Sequence, residues 1–221
     1  MPQALAPPTL IRRLGQVDYL STWEAMRAFT TGRDGATPDE IWLLEHPPVY
    51  TLGLAGRPEH LLADTGIPLV RTDRGGQITY HGPGQIVVYL LLDLHRRRLG
   101  VRELVHRLEG AVVDLLAAHG VQGDRWPGAP GVYVAGAKIA ALGLRIKQGC
   151  SYHGLALNVD GDLGPFAAID PCGYPGLRVT RTLEVGIRAS MIALSEELLA
   201  AVGTQLDAAP GLSGGVDTTA P

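Results

Sequence analysis

Two residues of complementary chemistry stand out in this chain of 221 residues. Cys172 lies in Asp170-Pro171-Cys172-Gly173, between a residue of restricted φ and one of unrestricted φ. A thiol on such a turn is held in place and open from one side, but the thiolate is the nucleophile and needs a cation nearby. Lys138 offers that cation from Val134 to Gly143, a stretch of small and apolar residues that contains no carboxylate. Each residue also has a plainer reading. A turn cysteine can be an inert small residue, and a strand lysine can snorkel to water. If the ammonium points inward, burial lowers its pKa and a thiolate raises it, so the two groups can share one proton.

A second group is the loop Arg74-Gly75-Gly76-Gln77-Ile78-Thr79-Tyr80-His81-Gly82-Pro83-Gly84-Gln85. Its glycines let backbone approach a ligand, or else form a pair of tight hairpin turns. No Gly-Lys-Ser/Thr follows, so it is not a Walker loop, and it lacks the strand-to-helix setting of a dinucleotide fingerprint. His81 and His153 are alternative bases, and Cys150 is a rival nucleophile. A Cys150/His153 hydrolase is disfavoured because strand residues three apart point to opposite faces. No ligand spacing for zinc or iron is present, and no cofactor is expected.

These residues need a scaffold, and the length and 46% apolar composition allow a single catalytic domain over 1–207. A formal charge of -3 supplies no basic field for nucleic acid. Two cysteines fit a reducing compartment better than a disulfide framework. With no signal pattern and no apolar run near the ~20 residues of a membrane span, a cytoplasmic protein away from the membrane is expected.

Asp18 caps a predicted helix through Tyr19, Trp23 and Met26 toward Gly32. Ile41 to Leu44 reads as a strand stopped by His46-Pro47-Pro48, followed by a loop to about Gly56. Strands over Leu69 to Arg71, Ile78 to Tyr80 and Ile86 to Leu92 are expected in one sheet. Val101 to Leu116 has helical spacing, with Gly120 as the stop. Strands follow at Gly131 to Val134, Lys138 to Ile146 and Ser151 to Val159, then a helix from about Arg188 to Leu206. Ala208 to Pro221 reads as a disordered tail. The fold class is α/β of the α+β type, a mixed sheet flanked by helices. His95-Arg96-Arg97-Arg98 with Arg102 forms the densest basic patch, read as a solvated loop or as a dock for an acidic carrier protein.

Five segments together resemble the lipoyl(octanoyl) transferase family of lipoate biosynthesis: Glu45 to Gly53, Arg74 to Gln85, Gly136 to Ala140, His153 to Val159, and Pro171-Cys172-Gly173. Their order and spacing match from about residue 10 to 205. The resemblance implies a domain similar to those of lipoate and biotin protein ligases. It implies octanoyl-acyl carrier protein as donor, and as acceptor a lysine of the lipoyl domains of 2-oxoacid dehydrogenase E2 subunits or of the glycine cleavage H protein. A monomer working without ATP is expected. Acyl transfer would fall on Cys172 and Lys138, with His153 in support. Substrate contacts would fall on Arg74, Gly75, Gly76, Gln77, Ile78, Thr79, Tyr80 and His81, on Ala141, Leu142 and Gly143, and on Gly154, Leu155 and Ala156. The chain departs from the family pattern at Tyr174 to Arg178 and at Leu155, where phenylalanine is common. An ATP-dependent ligase on the same scaffold and a non-enzymatic module that binds acyl carriers are the alternatives.

Overall fold

The computed structural model describes residues 8–208, apart from the Cys172 side chain. Except for Ala208, the expected tail therefore lies outside the described residues. At the centre runs β6 (Gln85–Leu91), apolar after its first residue and buried throughout. Ile86, Val88 and Leu90 join one core while Val87, Tyr89 and Leu91 join another, as the two-residue period of a strand requires. A strand buried on both faces belongs inside a sheet covered on both sides.

That sheet has seven strands. Its spatial order is β1 (Leu10–Gln16), β2 (Glu40–Glu45), β6, β10 (Cys150–Asn158), β9 (Ala137–Lys147), β8 (Ala129–Val134) and β7 (Asp124–Trp126). β1 runs parallel to β2 and the remaining neighbours are antiparallel. α1 (Tyr19–Gly32) covers one face, packing Met26 into the core of Trp42 and Tyr89. The Asp18 carboxylate caps it by accepting from the Ser21 amide at 2.9 Å. A short α2 (Leu94–Arg97) leads into α3 (Val101–Ala118), which covers the other face with α4 (Met191–Asp207). Leu104, Leu108, Val112 and Leu115 of α3 meet Leu194, Leu198 and Val202 of α4 in that core. No helix among the described residues is long and apolar enough to cross a membrane.

A second sheet of three strands, in the order β4 (Leu69–Arg71), β3 (Val49–Leu52) and β5 (Ile78–His81), corrects two expectations. Val49 to Leu52 is a buried strand rather than a loop: Pro47-Pro48 ends β2, and the β-favouring Val-Tyr-Thr-Leu starts a new ladder. The strands from Pro68 to Leu94 are divided between sheets, because the turn at Gly82 to Gly84 carries β6 away from β5. The edge strands β1 and β7 escape sequence reading. They are short or exposed, and Arg12, Arg13, Asp124 and Arg125 give them charge in place of apolar alternation.

Within the basic patch, Arg96 and Arg97 depart from the solvated reading, while His95, Arg98 and Arg102 are exposed. Arg96 and Arg97 bond the buried Asp39 carboxylate at 2.7 and 2.6 Å, joined by Arg33 at 2.6 Å and the Asp93 amide at 2.9 Å. Burial alone would raise the Asp39 carboxyl, but these donors outweigh it and the pKa falls. A carboxyl depressed in the folded state stabilises at pH above its unfolded value, and that stability is lost as pH falls through the folded value. Asp39→Ala leaves three guanidinium groups without their shared anion, so urea denaturation at neutral pH should show a loss of about 3–5 kcal/mol. That difference from wild type should begin to shrink as pH falls below about 4, the ordinary carboxylate value, and should vanish only once pH has fallen through the depressed folded value.

Candidate active site

The glycine loop after β4 is built around Arg74. Its buried guanidinium donates to Thr51 Oγ1 at 2.8 Å, to the carbonyls of Thr51 at 2.6 Å and Gln77 at 2.8 Å, and to that of Gly75 at 2.9 Å. Arg74 is thus a strut that shapes the loop from within. The Gly75 amide donates to the Leu144 carbonyl at 2.8 Å, which ties the loop to β9.

Between this loop and the β9–β10 pair lies a groove of about 490 Å³, counting the space open to solvent at its mouth. Arg74, Gly76, Gln77, Ile78, Thr79 and His81 line one side, and Ala141, Leu142, Gly143, His153, Gly154, Leu155 and Ala156 line the other. Two of the expected contacts lie off this lining. Gly75 sits behind the loop, and Tyr80 packs on Tyr50 and Phe166 in the core of the small sheet. Tyr19, Val87 and Tyr89 complete the wall. Sequence reading passes over them because aromatic and apolar residues at helical or strand spacing look like ordinary core.

Burial keeps neutral the two histidines of the wall, His81 and His153, and also His46, which packs on Tyr19 and His81. His46 is lowered to about 4; its Nδ1 donates to the Val17 carbonyl at 2.7 Å, which leaves Nε2 to accept from the Tyr89 hydroxyl at 2.8 Å. His81 is lowered to about 3 by burial and stacks on Tyr19. His153 is also lowered by burial, against the opposing effect of Asp73 at 3.1 Å. Burial would raise the Asp73 carboxyl, yet hydrogen bonds from His153, Tyr152 and Trp23 hold it well below the ordinary range. The backbone of His153 is left-handed at φ 60, a strained state for a residue with a side chain.

Lys138 is 3% exposed, which removes the reading of a lysine on a wet face. Its ammonium donates to the Pro130 carbonyl at 3.1 Å and lies 5.1 Å from the Tyr133 ring centre. Gly131 makes room for it: a Cβ there would stand 3.0 and 3.2 Å from Lys138 Cε and Nζ, on a backbone at φ 141. Lys138 and Pro171 together wall a smaller cavity, which shares Thr79 and Ala141 with the groove. Gln85 and Asn158 complete its polar side, bonded to each other at 2.8 Å, and Asn158 donates to the Thr180 carbonyl at 3.0 Å.

Pro171–Gly173 is one turn of 3-10 helix, closed by the Gly173 amide on the Asp170 carbonyl at 2.9 Å and the Tyr174 amide on the Pro171 carbonyl at 3.1 Å. The Cys172 side chain lies outside the described residues, so its approach to Lys138 is defined only by this backbone. Cys150 is buried at the start of β10, and burial pushes its thiol pKa up, away from thiolate character.

The family model of the lipoyl protein ligase A/B catalytic domain matches residues 18–205. The octanoyltransferase of Aromatoleum aromaticum is 66% identical over 202 residues, covering 91% of this chain and 87% of that protein. Among solved structures, the bi-partite lipoate protein ligase of Thermoplasma acidophilum superposes with TM-score 0.69 at 16% identity, covering 89% of this chain and 84% of that one. The biotin protein ligase of Aquifex aeolicus, in complex with biotin and ATP, does so with TM-score 0.57 at 15% identity, covering 89% and 70%. At those identities the two structures bear on the fold alone, and the fold agrees with the mixed sheet and flanking helices expected from sequence. With the family model spanning most of the folded residues, the chain belongs to the lipoyl protein ligase A/B catalytic domain family.

Proposed function

We propose that this chain transfers an octanoyl group from octanoyl-acyl carrier protein to the lysine of a lipoyl domain, through a thioester on Cys172. The acceptors in this reading are the lipoyl domains of 2-oxoacid dehydrogenase E2 subunits and the glycine cleavage H protein. Kinship with proteins named octanoyltransferase supports octanoyl transfer in protein lipoylation. The observation that carries the residue roles is the burial of Lys138 on a cavity wall shared with Pro171, beside an apolar groove.

The chemistry follows from a lysine and a cysteine sharing one proton. The Cys172 thiolate attacks the thioester carbonyl, the bond from carbonyl carbon to carrier sulfur breaks, and the Lys138 ammonium protonates the departing thiolate. The acceptor amine then attacks the acyl-cysteine, the new C–S bond breaks, and neutral Lys138 takes the proton the amine loses. Thiolate and ammonium are restored. Because the donor is already a thioester, no activation by ATP is required.

In this reading the apolar groove is the measure of chain length. Each buried CH₂ contributes about 0.8 kcal/mol, and Ala140 to Gly143 spans about 10 Å of strand, the scale of an extended eight-carbon chain. Small residues at Ala141, Gly143, Gly154 and Ala156 leave that space open. A larger side chain should therefore shorten the accepted acyl group. Ala141→Leu should lower kcat/KM for an octanoyl thioester about tenfold relative to a hexanoyl one, measured by competition between the two. No change in that ratio would remove the groove from the acyl path.

Intact-mass spectrometry after mixing with octanoyl-acyl carrier protein, without ATP, tests the carrier residue. Wild type and Cys150→Ser should gain one octanoyl mass, and Cys172→Ser none. An octanoyl mass on Cys172→Ser would refute the thioester at that position. A strict need for ATP would favour the ligase reading, and unaltered behaviour of Cys172→Ser in every assay would favour a binding module.

A further inference from the structure

The segment just ahead of Cys172 is joined to a part of the chain that the proposed reaction does not use. Leu61 bridges Ile169 in antiparallel fashion, the Leu62 amide donates to the Ala168 carbonyl at 2.8 Å, and the Asp170 amide to the His60 carbonyl at 2.9 Å. Side chains repeat the tie, since His60 Nδ1 and Asp170 Oδ2 are 3.2 Å apart. Both side chains are largely buried, at 16% and 14% exposure, so solvent screens the pair only in part.

The informative detail is what Asp170 does not do. It is the residue before a 3-10 turn, where an aspartate ordinarily accepts from the amides of the turn. Here no side-chain cap is formed, and the carboxylate turns to His60 instead. The imidazole meets the far end of the same turn: a Cβ on Gly173 would stand 3.4 Å from His60 Nε2 and 3.2 Å from Gln77 Cγ, on a backbone at φ 73. One histidine thus grips the residue before Cys172 and abuts the residue after it.

We propose that His60, oriented by Asp170, is a positioning residue that holds the Cys172 turn in register with Lys138. It acts through Nδ1 and the turn backbone and performs no proton transfer of its own. The proposal rests on the reading of Cys172 as the acyl carrier. A small displacement of a reacting group can lower the chemical step about a hundredfold without altering substrate affinity, which gives a positioning role its signature.

The test compares four variants in a Cys150→Ser background, reading kcat and KM for octanoyl transfer from a small octanoyl thioester. His60→Ala should lower kcat about tenfold to a hundredfold with KM within about twofold. His60→Asn places an amide N–H where Nδ1 stood and should recover most of that loss. His60→Gln reaches only the Nε2 position and should not. Asp170→Ala should match His60→Ala, and if His60→Ala does not fold, the Asn/Gln comparison decides. Wild-type kcat in His60→Ala, recovery by Gln rather than Asn, or failure of Asn to recover would each overturn the positioning role. Cys172→Ser, run alongside, separates the two readings: octanoyl turnover retained there would remove the acyl-cysteine itself, whereas its loss beside a wild-type His60→Ala would remove only the role of His60.

Discussion

The site depends on a short backbone ladder. The Lys138 amide donates to the Arg178 carbonyl at 2.8 Å, and the Thr180 amide to the Lys138 carbonyl at 2.9 Å, so Val179 lies parallel to the very residue whose side chain is needed. Any chain entering at Asp170 and leaving through this ladder must arch past Lys138. The exit of the Pro171–Gly173 segment is therefore held beside Lys138 by main-chain hydrogen bonds, each contributing about 0.5–1.5 kcal/mol net.

Burying an ammonium beside this ladder costs free energy unless dipoles replace water. The Pro130 carbonyl and the Tyr133 ring supply part of that replacement, and Gly131 leaves the side chain a path to both. The bulge between Val132 and Tyr133 shifts the β8–β9 register where Tyr133 pairs with Lys138. The local irregularity of β8 and the burial of Lys138 are thus one feature seen from two strands.

Much of this was legible from residue types. Cys172, Lys138, the glycine loop and the Ala141 to Gly143 and Gly154 to Ala156 stretches could be singled out because their chemistry or their smallness is unusual where they stand, and the structure gathers Lys138, Pro171, most of the glycine loop and both small-residue stretches around two adjoining cavities. The main helices and central strands were legible through their periods of 3.6 and 2. What escaped was whatever depends on a distant partner. Arg96 and Arg97 read as solvated because Asp39, 57 positions before Arg96, is invisible to local pattern. His60 carries no pattern at all until Asp170, 110 positions on, comes beside it. β3 was lost because the Pro-Pro that ends one strand hides the start of the next.

The arrangement of charge along β9 then makes chemical sense. At the Leu142 to Leu144 end, opposite His153 to Leu155, the histidines are neutral at physiological pH and Asp73 is engaged by three donors, so the acyl chain of the proposed reaction would meet a wall without a free ionic demand. At the Lys138 end the buried ammonium supplies the charge that a thiolate needs. Thr79 and Ala141 line both cavities. Moving the lysine toward Gly143 would place a cation against methylenes; moving the histidines toward Pro171 would offer the thiolate a competing proton acceptor. In the proposed reaction, this separation of the histidines from Lys138 is what would let a single groove bind an uncharged chain and still present its carbonyl to the lysine.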